Sequence, residues 1–336
     1  MIPPPEDMTE APARVVSMDA LSDVLRVARL SGGVFLHAEL TAPWCIAARV
    51  APEMCTPFLG PVGHVIPYHY VIDGEISIAL GDDAPWTLRG GEIVMFPHNA
   101  THLMGSDLSE PAVNIRDVLT PRPAGAGLHS IRHGKGGALT RIICGFLGCE
   151  IALGNPVFET LPASIRLRID ETAPADWIRS TFQYAASEIA AGRAGSETIL
   201  AQLSELLFVE AVRRHAQELP PGDTGWFAGL RDPVVARVLA LMHGEVARDW
   251  SVEDLGREAG LSRSALADRF TRVMGMPPRQ YLSQWRMQVA AHSLRNTSLS
   301  LARVAVNVGY DSEAAFSRAF HKAFGSAPAS WRRKNR

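Results

Sequence analysis

Cysteine is scarce in this chain: there are four in 336 residues, at Cys45, Cys55, Cys144 and Cys149. Scattered in this way they cannot make the disulfide framework of a small secreted domain, and no C-x-x-C pair offers the spacing of a structural zinc site. Long apolar runs are missing too; nothing approaches the roughly 18 residues that a membrane-spanning helix needs. The opening MIPPPEDMTEAPAR is proline-rich and acidic and carries no apolar core of a signal peptide. The glycine-rich HGKGG (His133–Gly137) lacks the spacing and the Ser or Thr of a phosphate loop, and reads as a turn. The expectations are a cytoplasmic protein with no membrane partner, whose residues 1–16 are disordered.

Excess charge is also lacking, since the formal net charge is −2. That small total hides a division. From Phe227 onward there are 17 Lys and Arg against 9 Asp and Glu, a net of +8, which leaves 16 basic and 26 acidic residues before it, a net of −10. A basic end on an acidic body suits a part that meets phosphates joined to a part that does not. With 47% hydrophobic and 20% charged residues, the chain is long enough for about two globular domains.

The basic end contains one pattern written twice, SVEDLGREAGLSRSALADRF (Ser251–Phe270) and SLARVAVNVGYDSEAAFSRAF (Ser300–Phe320). Each has a short apolar-periodic helix (Val252, Leu255, Ala259; Leu301, Val304, Val308), a glycine at the turn (Gly260, Gly309) and a serine (Ser262, Ser312) placed to cap a second helix. That is a helix-turn-helix, whose second helix can enter a major groove. Between the two, Pro278–Leu294 reads as a helix of 17 residues, about 26 Å long, which would set the two reading helices about one DNA turn apart.

Earlier in the chain, Ser17–Leu30 reads as an amphipathic helix capped by Ser17 or Asp19. From Gly33 to Cys149, short runs such as VFLHAEL, CIAARVA, HVIPYHYVID, EISIALG, WTLRGGEIVMFP, THLMG, VNIRDVL and LTRIICGFLG alternate with turn signals, among them Asp73-Gly74 and Gly81-Asp82-Asp83. The spacing predicts an antiparallel barrel or sandwich. Helical periodicity returns at Asp176–Ala191 and Ser196–Leu219, the latter with Leu200, Leu203, Leu207 and Val212 on one face, and Pro220–Gly225 reads as a linker.

The run from Gly63 to His102 resembles the two short motifs of the cupin barrel, through GHVIPYHYVIDGEISIALG and GEIVMFPHNATH. The segment from Leu230 resembles the AraC/XylS family of transcription regulators, through DPVVARVLALMHGE, the SVEDL-to-SRS run, RFTRVMGMPPRQYLSQWRMQVA and VGYDSEAAFSRAFHKAFGSAPASWR. A cupin-like domain before such a module is a known arrangement in that family, so the resemblance spans nearly the whole chain. It implies an α+β multidomain protein: a cupin-like antiparallel β-barrel with flanking helices (17–174), a helical dimerisation segment (175–219), a linker (220–229) and an all-α module of two helix-turn-helix units joined by a long helix (230–336). It also implies a regulator that reads double-stranded promoter DNA, answers a small-molecule or redox signal, forms a homodimer and meets RNA polymerase. The alternative is a cupin-type metalloenzyme with an appended helical domain.

Excluding the inward Leu266 and Phe270 leaves Arg263, Ser264, Ala267, Asp268 and Arg272 for DNA, and the family resemblance implies Ser264, Ala267 and Asp268 at base edges with Arg263 and Arg272 near phosphates. Excluding Phe316 and Phe320 leaves Glu313, Ala314, Ser317 and Arg318, with Arg318 suited to guanine. Arg269 reads as a surface or ion-paired arginine, and the tail Arg332, Arg333, Lys334 and Arg336 as a phosphate attractor or a solubilising end. Tyr68, His69, Tyr70, Glu75, Trp86 and His102 are the candidate lining of an effector cavity. No cofactor is expected; His69, Glu75 and His102 would be the ligands of a metal, with Val71 standing where a cupin metal site has a further histidine, or else ordinary polar core residues. Cys144 and Cys149 are the candidate redox pair, with Arg141 the nearby cation, or else buried inert thiols.

Overall fold

Alternation of apolar and polar residues, as in Glu75–Leu80, buries every second side chain and builds strands with one face inward. The computed structural model describes residues 20–28, 30–53, 55, 62–118, 130–149, 155–168 and 196–335, with the single positions 180, 181, 184 and 187. The N-terminal stretch 1–16, the caps Ser17 and Asp19 and most of Asp176–Ala191 lie outside the described residues.

After helix α1 (Ala20–Ala28) come strands β1 (Leu30–Thr41), β2 (Cys45–Ala48), β3 (His64–Asp73), β4 (Glu75–Leu80), β5 (Trp86–Arg89), β6 (Glu92–Met95), β7 (His102–Gly105) and β8 (Val113–Asn114). A short helix α2 (Ile115–Val118), strands β9 (Ser130–Gly134) and β10 (Leu139–Cys149), helix α3 (Pro156–Thr160) and strand β11 (Ile165–Arg168) complete this part. The strands form two sheets, in the orders β11-β6-β3-β10-β1-β9 and β5-β4-β7-β2-β8. Of the expected antiparallel barrel or sandwich, the strands form two open sheets rather than a closed barrel, and two edge pairs, β1 with β9 and β2 with β8, run parallel. Alternation tells which face of a strand is buried, not which edge finds a partner, so closure was not readable. VNIRDVL is likewise a strand only at Val113–Asn114 before it turns into α2.

One core lies between the sheets and includes Leu40, Ile46, Val71, Ile78, Met104 and Ile142. The outer face of the six-stranded sheet, through Ile66, Tyr68, Met95, Ile143 and Leu147, is covered by helix α4 (Ser196–Glu218) with Leu207, Phe208, Ala211 and Val212. That same core runs on into the C-terminal module: α5 (Trp226–Arg231), α6 (Pro233–Gly244), α7 (Val252–Glu258), α8 (Arg263–Met274) and the start of α9 (Pro278–Asn296) all contribute to it. Helix α5 begins inside the stretch read as a linker, with Trp226 and Phe227 buried. Helices α10 (Leu301–Asn307), α11 (Glu313–Phe324) and α12 (Pro328–Lys334) pack on the rest of α9 around a core of their own, which includes Leu294, Val304, Phe316 and Phe320. Burying each such phenylalanine contributes about 2–3 kcal/mol. Among the described residues no helix is long and apolar enough to cross a membrane.

Candidate nucleic-acid interface and sensor site

The first helix-turn-helix is α7–α8. Ser251 caps α7 in a reciprocal box with Asp254, its hydroxyl accepting the Asp254 N–H at 3.0 Å. The chain turns at Gly260 (φ +73°), and the Ser262 hydroxyl accepts the Ala265 N–H at 3.3 Å to start α8. The second is α10–α11, where Ser300 accepts from Arg303, Gly309 turns (φ +78°) and Ser312 accepts from Ala315 at 3.2 Å. Ser251 and Ser300 stand 49 residues apart and Ser262 and Ser312 stand 50 apart, so the second turn holds one more residue. Asp268 and Arg318 consequently occupy equivalent places on the two reading helices.

Leu266, Phe270 and Met274 anchor α8, and Phe316 and Phe320 anchor α11, all buried. This leaves Arg263, Ser264, Asp268, Arg272, Glu313, Ala314 and Arg318 exposed, with Ala267 and Ser317 half-buried beside them. Arg263, Arg272 and Arg318 make no ion pair among the described residues, which leaves their guanidinium groups available. Arg269, by contrast, pairs with Asp232 at 2.9 Å. In the tail, Arg332 donates to the carbonyls of Leu294 (3.2 Å) and Leu299 (2.6 Å), so it ties α12 to the end of α9; Arg333 and Lys334 are exposed, and Arg336 lies outside the described residues.

In the N-terminal part the structure divides the expected lining. Successive residues of β3 face opposite ways: the Tyr68 hydroxyl meets Ser204 Oγ of α4 at 3.2 Å, whereas His69 points between the sheets. There His69 Nε2 lies 2.9 Å from His102 Nε2, and His69 Nδ1 lies 3.1 Å from Cys144 Sγ. His102 Nδ1 faces the Ala100 carbonyl at 2.9 Å and must donate, so its Nε2 accepts from His69 Nε2–H and His69 Nδ1 accepts the Cys144 thiol proton. Phe96 stacks on His102 at 3.7 Å. Burial holds His69 far below the usual histidine range and brings His102 down to about 4, so both rings are neutral.

The other candidates lie elsewhere. Glu75 is exposed at the β3–β4 hairpin opposite Arg89, 3.6 Å away. Trp86 lies under the Arg166 guanidinium at 4.4 Å. Tyr70 belongs to the outer core. A triad of two histidines and a carboxylate is thus not assembled, and the residues present do not fit the implied metal; among the described residues no group of three or more His, Cys, Asp or Glu is placed to hold one. Cys144 and Cys149 are five apart on one strand and so face opposite cores, which rules out a direct disulfide between them. Both are buried, and burial pushes Cys144 up to about 12, while Arg141 is taken by Asp73 at 2.8 Å. Sequence reading missed a recess of about 240 Å³ between Trp44, Cys45, Glu110, Val113, His133 and Lys135. Its walls come from three separate segments of the chain, around Trp44, Glu110 and His133, so no local pattern announces it.

Two reading helices and a sheet-built N-terminal part define a two-domain transcription regulator. A cupin family model matches residues 19–217, and a helix-turn-helix domain model matches residues 255–334. The chain is 30% identical over 317 residues to an AraC-like transcription regulator of Streptomyces lividans, covering 94% of this chain and 98% of that one. It is 26% identical over 326 residues to the HTH-type transcriptional regulator AlkR of Acinetobacter baylyi, covering 95% and 100%. Among solved structures, the DNA-binding domain of AdpA in complex with a target DNA matches 31% of this chain and 92% of that chain, with 31% identity and a TM-score of 0.30. The chain belongs to the AraC-like transcription regulators, with a cupin domain before the DNA-binding module.

Proposed function

We propose that this regulator reads two successive major grooves from one face of promoter DNA. Helix α8 presents Ser264, Ala267 and Asp268 to base edges, with Arg263 and Arg272 on phosphates, and α11 presents Glu313, Ala314, Ser317 and Arg318. The observation that carries the reading is that both helices turn their phenylalanines inward and leave these residues on the surface. Helix α9, with 19 residues, is about 28 Å long and suits a separation of one duplex turn, about 34 Å. The test is selection of binding sites from a random duplex pool. A bipartite site and an affinity that falls steeply with salt are expected; weak binding indifferent to sequence would contradict the reading.

The signal is a small molecule taken up by the cupin domain. Its route to the DNA-binding module is the shared core, in which α1 meets α6 and α9 and α4 meets α5, with Asp23 Oδ2 of α1 3.9 Å from His243 Nδ1 of α6. A ligand that binds one arrangement of this joint better than another shifts how the reading helices are presented. Homodimerisation through α4 is supported by Ile199 and Leu206, exposed apolar residues seven apart on that helix. The protein acts in the cytoplasm and contacts RNA polymerase at the promoter. Thermal-shift screening of metabolites against the full chain identifies the signal, and a compound that stabilises the protein and alters DNA affinity is the expected result.

A further inference from the structure

We propose that Arg286 sets the spacing between the two reading helices, as a positioning residue that never touches DNA. The inference rests on the two-groove reading above. The two helix-turn-helix units close on separate cores, one through Leu255, Leu266 and Phe270 and the other through Val304, Phe316 and Phe320, at different stretches of α9. Two units that share only a helix could pivot about it. A pivot of about 10° at the end of a helix about 28 Å long moves a side chain by roughly 5 Å, more than one base-pair step of about 3.4 Å. Something must therefore tie the units directly if they are to read a fixed spacing.

Arg286, midway along α9, makes that tie with all three guanidinium nitrogens. Nε donates to the Val246 carbonyl at 3.0 Å and Nη2 to the Arg248 carbonyl at 2.8 Å, both in the loop from α6 to α7 of the first unit. Nη1 donates to the Gly309 carbonyl at 3.2 Å, in the turn of the second unit. The Tyr310 ring lies 5.9 Å from the same group. The loop and the turn also press together: a Cβ on Gly309 would stand 2.6 Å from the Ala247 carbonyl oxygen and 2.6 Å from Arg286 Nη2. Gly309 is needed both for its positive φ and for this approach. A planar fork holds three carbonyls in fixed directions, which a lysine ammonium cannot do. With its nitrogens engaged and its side chain half-buried, Arg286 is not offered to a phosphate.

The test compares the full-length protein with Arg286→Lys and Arg286→Gln on duplexes that the wild type selects from a random pool. Affinity is measured for the selected site and for versions with two base pairs inserted between its halves. The wild type is expected to lose tenfold or more on insertion. The variants are expected to bind the selected site about tenfold more weakly but to lose less than threefold on insertion, while circular dichroism shows them folded. A folded variant that keeps the wild-type insertion penalty overturns the proposal; should the Gln variant fail to fold, the Lys variant decides. A wild type that shows no insertion penalty overturns the two-groove reading itself, so the two failures are distinguishable.

Discussion

Arg269 on the first reading helix and Asp232 at the start of α6 form one ion pair, Nε to Oδ2 at 2.9 Å, while Oδ1 of the same carboxylate accepts the N–H groups of Val234 and Val235 at 3.0 and 3.1 Å. One aspartate thus caps a helix and fixes α8 against it. Partial burial pushes the Asp232 carboxyl up, but the Arg269 hydrogen bond and the two amides outweigh it, and the net displacement is downward. Asp232→Ala should lower module stability by about 1–2 kcal/mol, seen as a reduced urea midpoint with an unchanged slope. An unchanged midpoint would show that the cap and the pair contribute nothing.

The His69–His102 bridge predicts a pH dependence. Both rings are neutral in the folded protein and protonate more easily once unfolded. Unfolding therefore takes up protons, and stability falls as pH drops from about 6.5 towards 4. His102 alone accounts for up to about 3 kcal/mol over that range. Denaturant midpoints measured from pH 7.5 to 4.5 should decline for the wild type and decline less for His102→Leu; parallel curves would show that the bridge is not the titrating element.

Arg318→Ala should weaken binding to a selected site by about 1–3 kcal/mol and relax the preference at one base pair. Anisotropy titrations against the four base-pair variants at each position locate that base pair. A uniform loss across all variants would make Arg318 a phosphate contact instead.

Leu206 is 50% exposed on α4 and lies seven residues from exposed Ile199. If α4 carries the proposed dimer contact, Leu206→Asp should sediment as a monomer in analytical ultracentrifugation where the wild type sediments as a dimer, with its far-ultraviolet circular dichroism unchanged. A variant that sediments as the wild type does would contradict a dimer contact on α4.

Much of the DNA-reading module was legible because its signals are local. Ser262, Ser312, Gly260 and Gly309 each act within four residues of the helix end they govern, and each does what its residue type dictates. The buried polar cluster of the N-terminal part was less legible because its contacts are not local. His69, His102 and Cys144 come from three strands of two sheets: pairing register sets His69 beside Cys144, and packing of one sheet on the other brings His102 to them. Some of the division was readable: Tyr68 and His69 are adjacent on a strand and cannot line the same cavity, and Cys144 and Cys149, an odd number apart, cannot share a face. Helix α5 starts directly after Pro220–Gly225 and within the expected 220–229 stretch, where Trp226 is committed by its indole N–H bond to the Tyr281 hydroxyl, 55 residues away, a contact no local pattern announces.

Hydroxyl-radical footprinting of the full-length protein on a selected duplex bears most directly on how the protein engages DNA. Two protected patches on the same face, separated by about ten base pairs, are what α8 and α11 seated in neighbouring grooves produce. A single patch, or two on opposite faces of the duplex, would contradict it.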